Sequence, residues 1–169
     1  MSRLASAVSA AILWFIAAAL AQGSQTGCTP EELNNQIRPG DPAYADAIDL
    51  AATLQRHGFT VQCVGPSKFA QFLPGQTGAA LFRTTMGDFD ALFRAKDQNF
   101  YDVLILERID ADLPSGGRYH YVFRDPQGRK VQDMEGQSEA FFVRSRNIFF
   151  IVWGKNTATL LTESLGDER

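Results

Sequence analysis

Histidine exchanges protons most readily near neutral pH, and this 169-residue chain has two, His57 and His120. His120 lies in the run Arg118-Tyr119-His120-Tyr121-Val122-Phe123-Arg124. Strand alternation puts Tyr119, Tyr121 and Phe123 on one side of this run. Arg118, His120, Val122 and Arg124 fall on the other. Two chemistries suit such a face. A protonated imidazole between two guanidinium groups would hold an anion. A neutral imidazole would act as a general base if folding brought Asp or Glu beside it, as a hydrolase requires. The more ordinary fate of a polar sheet face is solvation. His57 stands just before Gly58, where a helix end favours a cation, so it reads as a terminal or capping residue.

Other reactive patterns are incomplete. Asp88-Phe89-Asp90 and Asp110-Ala111-Asp112 place two carboxylates on one side of a strand, but neither is followed by the glycine and distal glutamate of a calcium loop. Asp90 followed by Glu107-Arg108-Ile109 has the outline of a nuclease's Asp and Glu-x-Lys, yet Ile109 stands where the lysine is needed. There is no Gly-x-Ser-x-Gly elbow. Gly75-Gln76-Thr77-Gly78 and Ser115-Gly116-Gly117 are turn chemistry, without a phosphate loop or dinucleotide fingerprint. No metal or cofactor is expected, and no catalytic residue is assigned.

A binding surface is the other class. All but one of the 13 Phe lie beyond residue 21, several in adjacent pairs such as Phe141-Phe142 and Phe149-Phe150. Neighbours in a strand point to opposite faces. If only one sheet face is covered, some of these rings line a groove or meet a partner. Tyr119, Tyr121, Phe142, Phe149 and Trp153 are the rings to watch. Arg118, Arg124, Arg129, Lys130, Arg144 and Arg146 form a candidate basic rim. The binding set is therefore Arg118, Tyr119, His120, Tyr121, Arg124 and Trp153. Net charge is −3, which disfavours nucleic acid and anionic membrane as partners.

The two cysteines, Cys28 and Cys63, suit a structural disulfide better than a reactive thiol, because no Cys-x-x-Cys or cationic neighbour is present. Closing a loop of roughly 35 residues stabilises by about 3–4 kcal/mol in the chain-entropy model. Such bonds belong to oxidising compartments. The first 21 residues agree. Arg3 precedes an apolar stretch from Leu4 to Leu20, and Ala19-Leu20-Ala21 fits a signal-peptidase site. We expect a signal peptide over 1–21, cleaved after Ala21, and an exported protein, periplasmic or extracellular. An uncleaved N-terminal anchor is the alternative.

The elements that would carry these residues follow from local signals. Residues 22–28 form a flexible leader to a single domain over 29–169. Thr29-Pro30-Glu31-Glu32 has the form of a capping box opening a short helix. Asp41-Pro42 opens a second, amphipathic one. Its inward face is predicted as Tyr44, Ala47, Ile48, Ala51 and Leu54, and Gly58 ends it. Phe59–Val64 is a strand with Phe59, Val61 and Cys63 on one face. Ser67 caps a turn of helix carrying Phe69 and Phe72. Ala79–Arg83 and Phe89–Arg94 make a hairpin. The apolar Phe100–Arg108 reads as a central strand covered on both faces. Arg118–Arg124, Ala140–Arg144 and Ile148–Trp153 follow as strands. Asn156 is expected to cap a last helix with Leu160, Leu161 and Leu165 inward. Short turns imply antiparallel pairing. The expected fold is α+β: a meandering antiparallel sheet of six to seven strands, packed against an N-terminal amphipathic helix and a C-terminal helix, with one disulfide. The function expected of it is non-enzymatic binding of a ligand or protein in the cell envelope. A hydrolase centred on His120 is the alternative.

Overall fold

The computed structural model describes residues 28–100, 105–109 and 116–166. The expected signal peptide, residues 22–27 of the expected leader, and the Asp110/Asp112 pair lie outside them. The fold is α+β and antiparallel throughout. In chain order the elements are α1 (Pro30–Asn34), α2 (Tyr44–Arg56), β1 (Val61–Pro66), β2 (Gly78–Thr84), β3 (Gly87–Phe93), β4 (Ile105–Ile109), β5 (Tyr119–Arg124), β6 (Lys130–Gly136), β7 (Phe141–Ser145), β8 (Ile148–Val152) and α3 (Lys155–Leu165).

Among the described residues the eight strands form two sheets, not one meander. Five are ordered β1-β2-β3-β8-β7 and three are ordered β4-β5-β6. The excursion through β4–β6 separates β3 from its partner β8 in the chain, and β8 then slots between β3 and β7. The five-stranded sheet is covered on both faces. On one, Ala80, Phe82, Phe89, Ala91, Phe93, Val143, Phe150 and Val152 bury against Ala47, Leu50 and Leu54 of α2 and Ala158 and Leu161 of α3. On the other, Ala79, Leu92, Phe149 and Ile151 bury against Tyr121 and Phe123 of β5 and against Phe69, Leu73 and Phe100. The result is three layers: helices, large sheet, small sheet. The Phe123 ring meets those of Phe72, Phe142 and Phe149 at 5.4–5.9 Å in edge-on geometry. Each such pair is worth about 0.5–1.5 kcal/mol beyond its buried area.

Several local expectations hold. Thr29 and Glu32 form the reciprocal capping box at α1, with Pro30 in its first turn. Cys28 and Cys63 are disulfide-bonded. The β2–β3 and β7–β8 hairpins stand where their turns were read. Gly58 closes α2 at φ +87°.

Others are corrected. Within Phe100–Arg108 the described strand residues, 105–108, belong to β4, an edge strand of the small sheet, so the central position belongs to β3 and β8 instead. β6 was not expected. A register shift at Phe123/Arg124 places Val131 opposite no residue of β5, so its apolar residues Val131 and Met134 fall three apart and hide the period of two. A second irregularity between Val61 and Cys63 splits the predicted face of β1. Phe59 and Val61 face the helices, whereas Cys63 turns to the side where α1 lies and is buried there, bonded to Cys28. Residues 67–73 make turns without a helix, although the Ser67 hydroxyl accepts from the Phe69 N–H at 3.0 Å. On α2 the buried positions are Ala47, Leu50 and Leu54, and Ile48 is exposed. α3 begins after Gly154 without a side-chain cap, so Asn156 lies inside the helix, and Leu160 is exposed.

Candidate functional site

The small sheet carries most of the residues singled out from sequence, and it divides them between its faces. Tyr121 is 2% exposed and belongs to the core between the sheets; its phenolic oxygen accepts from the Ala140 N–H at 3.0 Å. Burial raises the pKa of its hydroxyl. Tyr121 thus packs in the core between the sheets, and Phe142 and Phe149 join it there. The physical reason is the small sheet itself: it covers the face that one-sided packing would have left open. Tyr119 is half-buried at the rim, stacked on Tyr121 and facing the Arg108 guanidinium at 5.0 Å.

His120 points to the outer face. Its Nε2 is 3.4 Å from Asp133 Oδ2 and 4.0 Å from Glu135 Oε1, because Glu135 lies opposite it in the β5–β6 register and Asp133 is two residues along. Lys130 Nζ also reaches Asp133, at 2.9 Å. That ammonium, with help from the imidazole, holds the Asp133 carboxyl below the usual aspartate range. A carboxylate so stabilised is a weak proton acceptor. Among the described residues no group of three or more His, Cys, Asp or Glu is arranged to hold a metal ion.

The basic rim is largely neutralised. Arg124 Nε pairs with Glu107 at 3.0 Å and Arg129 Nε with Asp125 at 2.7 Å, while Arg108 pairs with Glu139. Arg118 is exposed at the start of β5. These exposed pairs contribute little stability, but they leave the face without an excess of positive charge for an anion.

Trp153 is elsewhere. It follows β8 and meets the turn at residues 67–69, its ring near-parallel to that of Phe69 with centroids 6.4 Å apart. Behind it lies Asp90, 3% exposed in β3. Burial raises the Asp90 pKa, against the pull of the Ser67 hydroxyl, the Lys68 ammonium and the Trp153 indole, while Asp88 adds to the rise. A raised folded pKa means that the neutral carboxyl is the form the fold favours. The stabilisation it gives is complete below the unfolded pKa and lost as pH rises through the folded value. Asp90→Asn is therefore expected to raise the melting temperature at pH 7, with the gain shrinking as the pH falls toward 4. Thermal denaturation of both chains across that range checks it; a loss of stability at pH 7 would contradict it.

A further concavity is on the helical side. A groove of about 600 Å³ runs between α2 and the end of α3, closed at one end by the β7–β8 turn. Its floor is apolar: Leu50, Phe93, Ile148 and Leu165. One wall is a polar stripe of α2, formed by Asp46, Asp49, Thr53 and His57 at helical spacing. Glu163 and Ser164 make the other wall, and Lys96, Arg146 and Asn147 lie at the turn. Lys96 Nζ bridges to Asp49 at 2.9 Å, and the Asn147 side-chain amide donates to the Arg94 carbonyl at 2.9 Å, fixing that end. Partial burial raises the Asp46 pKa. The residues of this groove were not assembled by sequence reading. The recurrence of Asp46, Asp49, Thr53 and His57 at three- and four-residue steps is the signal that could have found the α2 wall.

Comparison with protein-family models, with curated proteins and with solved structures finds no match to this chain.

Proposed function

We propose that the protein is a non-enzymatic binding domain, exported to the periplasm or beyond as part of the cell envelope, and that its ligand or protein partner seats in the groove between α2 and α3. The groove carries this reading. Its volume lies within the ~300–1,000 Å³ usual for ligand sites, and an apolar floor under a rim of both charges suits an amphipathic guest. Export rests on the leader read in the sequence, and the disulfide is in keeping with an oxidising compartment. Native mass spectrometry of the chain isolated from the envelope fraction tests the reading. A bound mass is expected, and Thr53→Trp, which projects an indole from the exposed α2 wall across the floor, should remove it while leaving the far-UV spectrum unchanged. Persistence of the bound mass in Thr53→Trp would overturn the assignment.

A hydrolase centred on His120 is the second reading, favoured by the 3.4 Å approach of Asp133. It predicts ester or amide hydrolysis that disappears in His120→Ala. The binding reading predicts that this substitution changes neither turnover nor the bound mass.

A further inference from the structure

Asp90 is an acidic side chain buried inside the protein, 3% exposed. Its surroundings explain what it could be kept for. Its strand neighbour Leu92 contributes to the core between the two sheets, and Asp90 sits beyond the edge of that core under the turn at residues 67–69. Over it stand two aromatic faces, Phe69 and Trp153, inclined by only 26°. Phe69 is buried, whereas Trp153 is 36% exposed, so this group of side chains reaches solvent at the tryptophan. The Lys68 ammonium lies 5.1 Å from both ring centroids. It also feels the charge of Asp90.

Two π faces with a carboxylate behind them form the set of groups that receives an organic cation. We propose that the Phe69–Trp153–Asp90 recess is a binding site for alkylammonium groups, above all trimethylammonium, and that Lys68 fills it as an intramolecular stand-in. Lys68 belongs to an exposed residue on a four-carbon flexible stem, so it can leave without disturbing the sheet. A primary ammonium is strongly hydrated and gives up water reluctantly. A quaternary one is less hydrated and presents methyl groups to both rings, which gives it the advantage in this competition. The site shares no residue with the α2–α3 groove, and its fate does not depend on that proposal.

The apparent affinity of such a site is reduced by the fraction of time that Lys68 occupies it. With Lys68 in place nine-tenths of the time, its removal strengthens binding about tenfold. The test uses the full chain with Trp14→Phe, which leaves Trp153 as the one tryptophan. Its fluorescence is titrated with tetramethylammonium chloride against sodium chloride at equal ionic strength. A saturable change is expected, with a dissociation constant about tenfold lower in Lys68→Ala. Adding Asp90→Asn to Lys68→Ala should abolish saturation; this variant keeps its fold on the stability argument above, and far-UV circular dichroism checks that. Equal affinity with and without Lys68 would overturn the proposal, as would saturation that survives Asp90→Asn or a response no different from that to sodium. Choline and phosphatidylcholine vesicles, titrated in parallel, distinguish a free trimethylammonium compound from a lipid headgroup.

Discussion

Cys63→Ala is expected to lower the melting temperature by roughly 10 °C while leaving the far-UV spectrum unchanged, because the lost bond is worth about 4 kcal/mol for a loop of this length. The bond joins residue 28, just before α1, to the buried end of β1. α1 is too short to hold itself in place, since isolated helices need some 12–15 residues. Its other attachments are the exposed Glu32–Arg83 ion pair at 2.7 Å and the Ile37 N–H donated to the Val64 carbonyl at 3.1 Å. The strands and the two longer helices have their own cores and should persist, which is why the spectrum is expected to hold while stability falls. Calorimetry with and without reductant measures the effect independently of mutation. Equal melting temperatures in the two states would show that the bond contributes nothing.

Gly87→Ala is expected to destabilise by about 2–4 kcal/mol, through backbone strain and a lost hydrogen bond acting together. Gly87 ends the β2–β3 turn at φ +118°, a region that residues with a side chain rarely enter. A Cβ there would overlap Thr157 Oγ1, which donates to the Met86 carbonyl. That contact fastens the first turn of α3 onto the hairpin of β2 and β3. Thr157 is itself buried, so its hydroxyl has no water to turn to if displaced. Urea denaturation of Gly87→Ala, Thr157→Ala and the double variant separates the two causes. The overlap is relieved in the double variant and the φ cost is not, so the double should be less destabilised than the sum of the singles. Strict additivity would count against the steric part of this account.

The parts of the fold that sequence revealed are those whose causes are local. The Thr29–Glu32 box satisfies backbone groups within four residues, and the Ser145-Arg146-Asn147 turn needs only its own dihedrals. Failures arose where a distant partner decides. Alternation sets Tyr119, Tyr121 and Phe123 on one strand face, but nothing in that segment says that a second sheet covers it. Val131 and Met134 lost their strand rhythm because a bulge set by pairing with β5 shifts the count. On α2 the chosen stripe was rotated by about one residue, since Ile48 and Leu50 are equally apolar and only the sheet beneath selects Leu50. The candidate site suffered most. Trp153 was noticed as an aromatic, yet its companions Lys68, Phe69 and Asp90 come from three other stretches of chain. Carboxylates beside His120 belong only to the alternative hydrolase reading, and which ones come near depends on β6, a strand that carries no clear signal of its own.

The position of β8 has a consequence for how the molecule is made. Phe89–Phe93 pairs on its inner side with residues 148–152, so the large sheet stays unfinished until residue 152 has been made and has left the ribosome. Long-range pairing of this kind forms slowly, because the intervening chain must be gathered first. A nascent chain of this design stays open for longer than one whose strands pair in sequence.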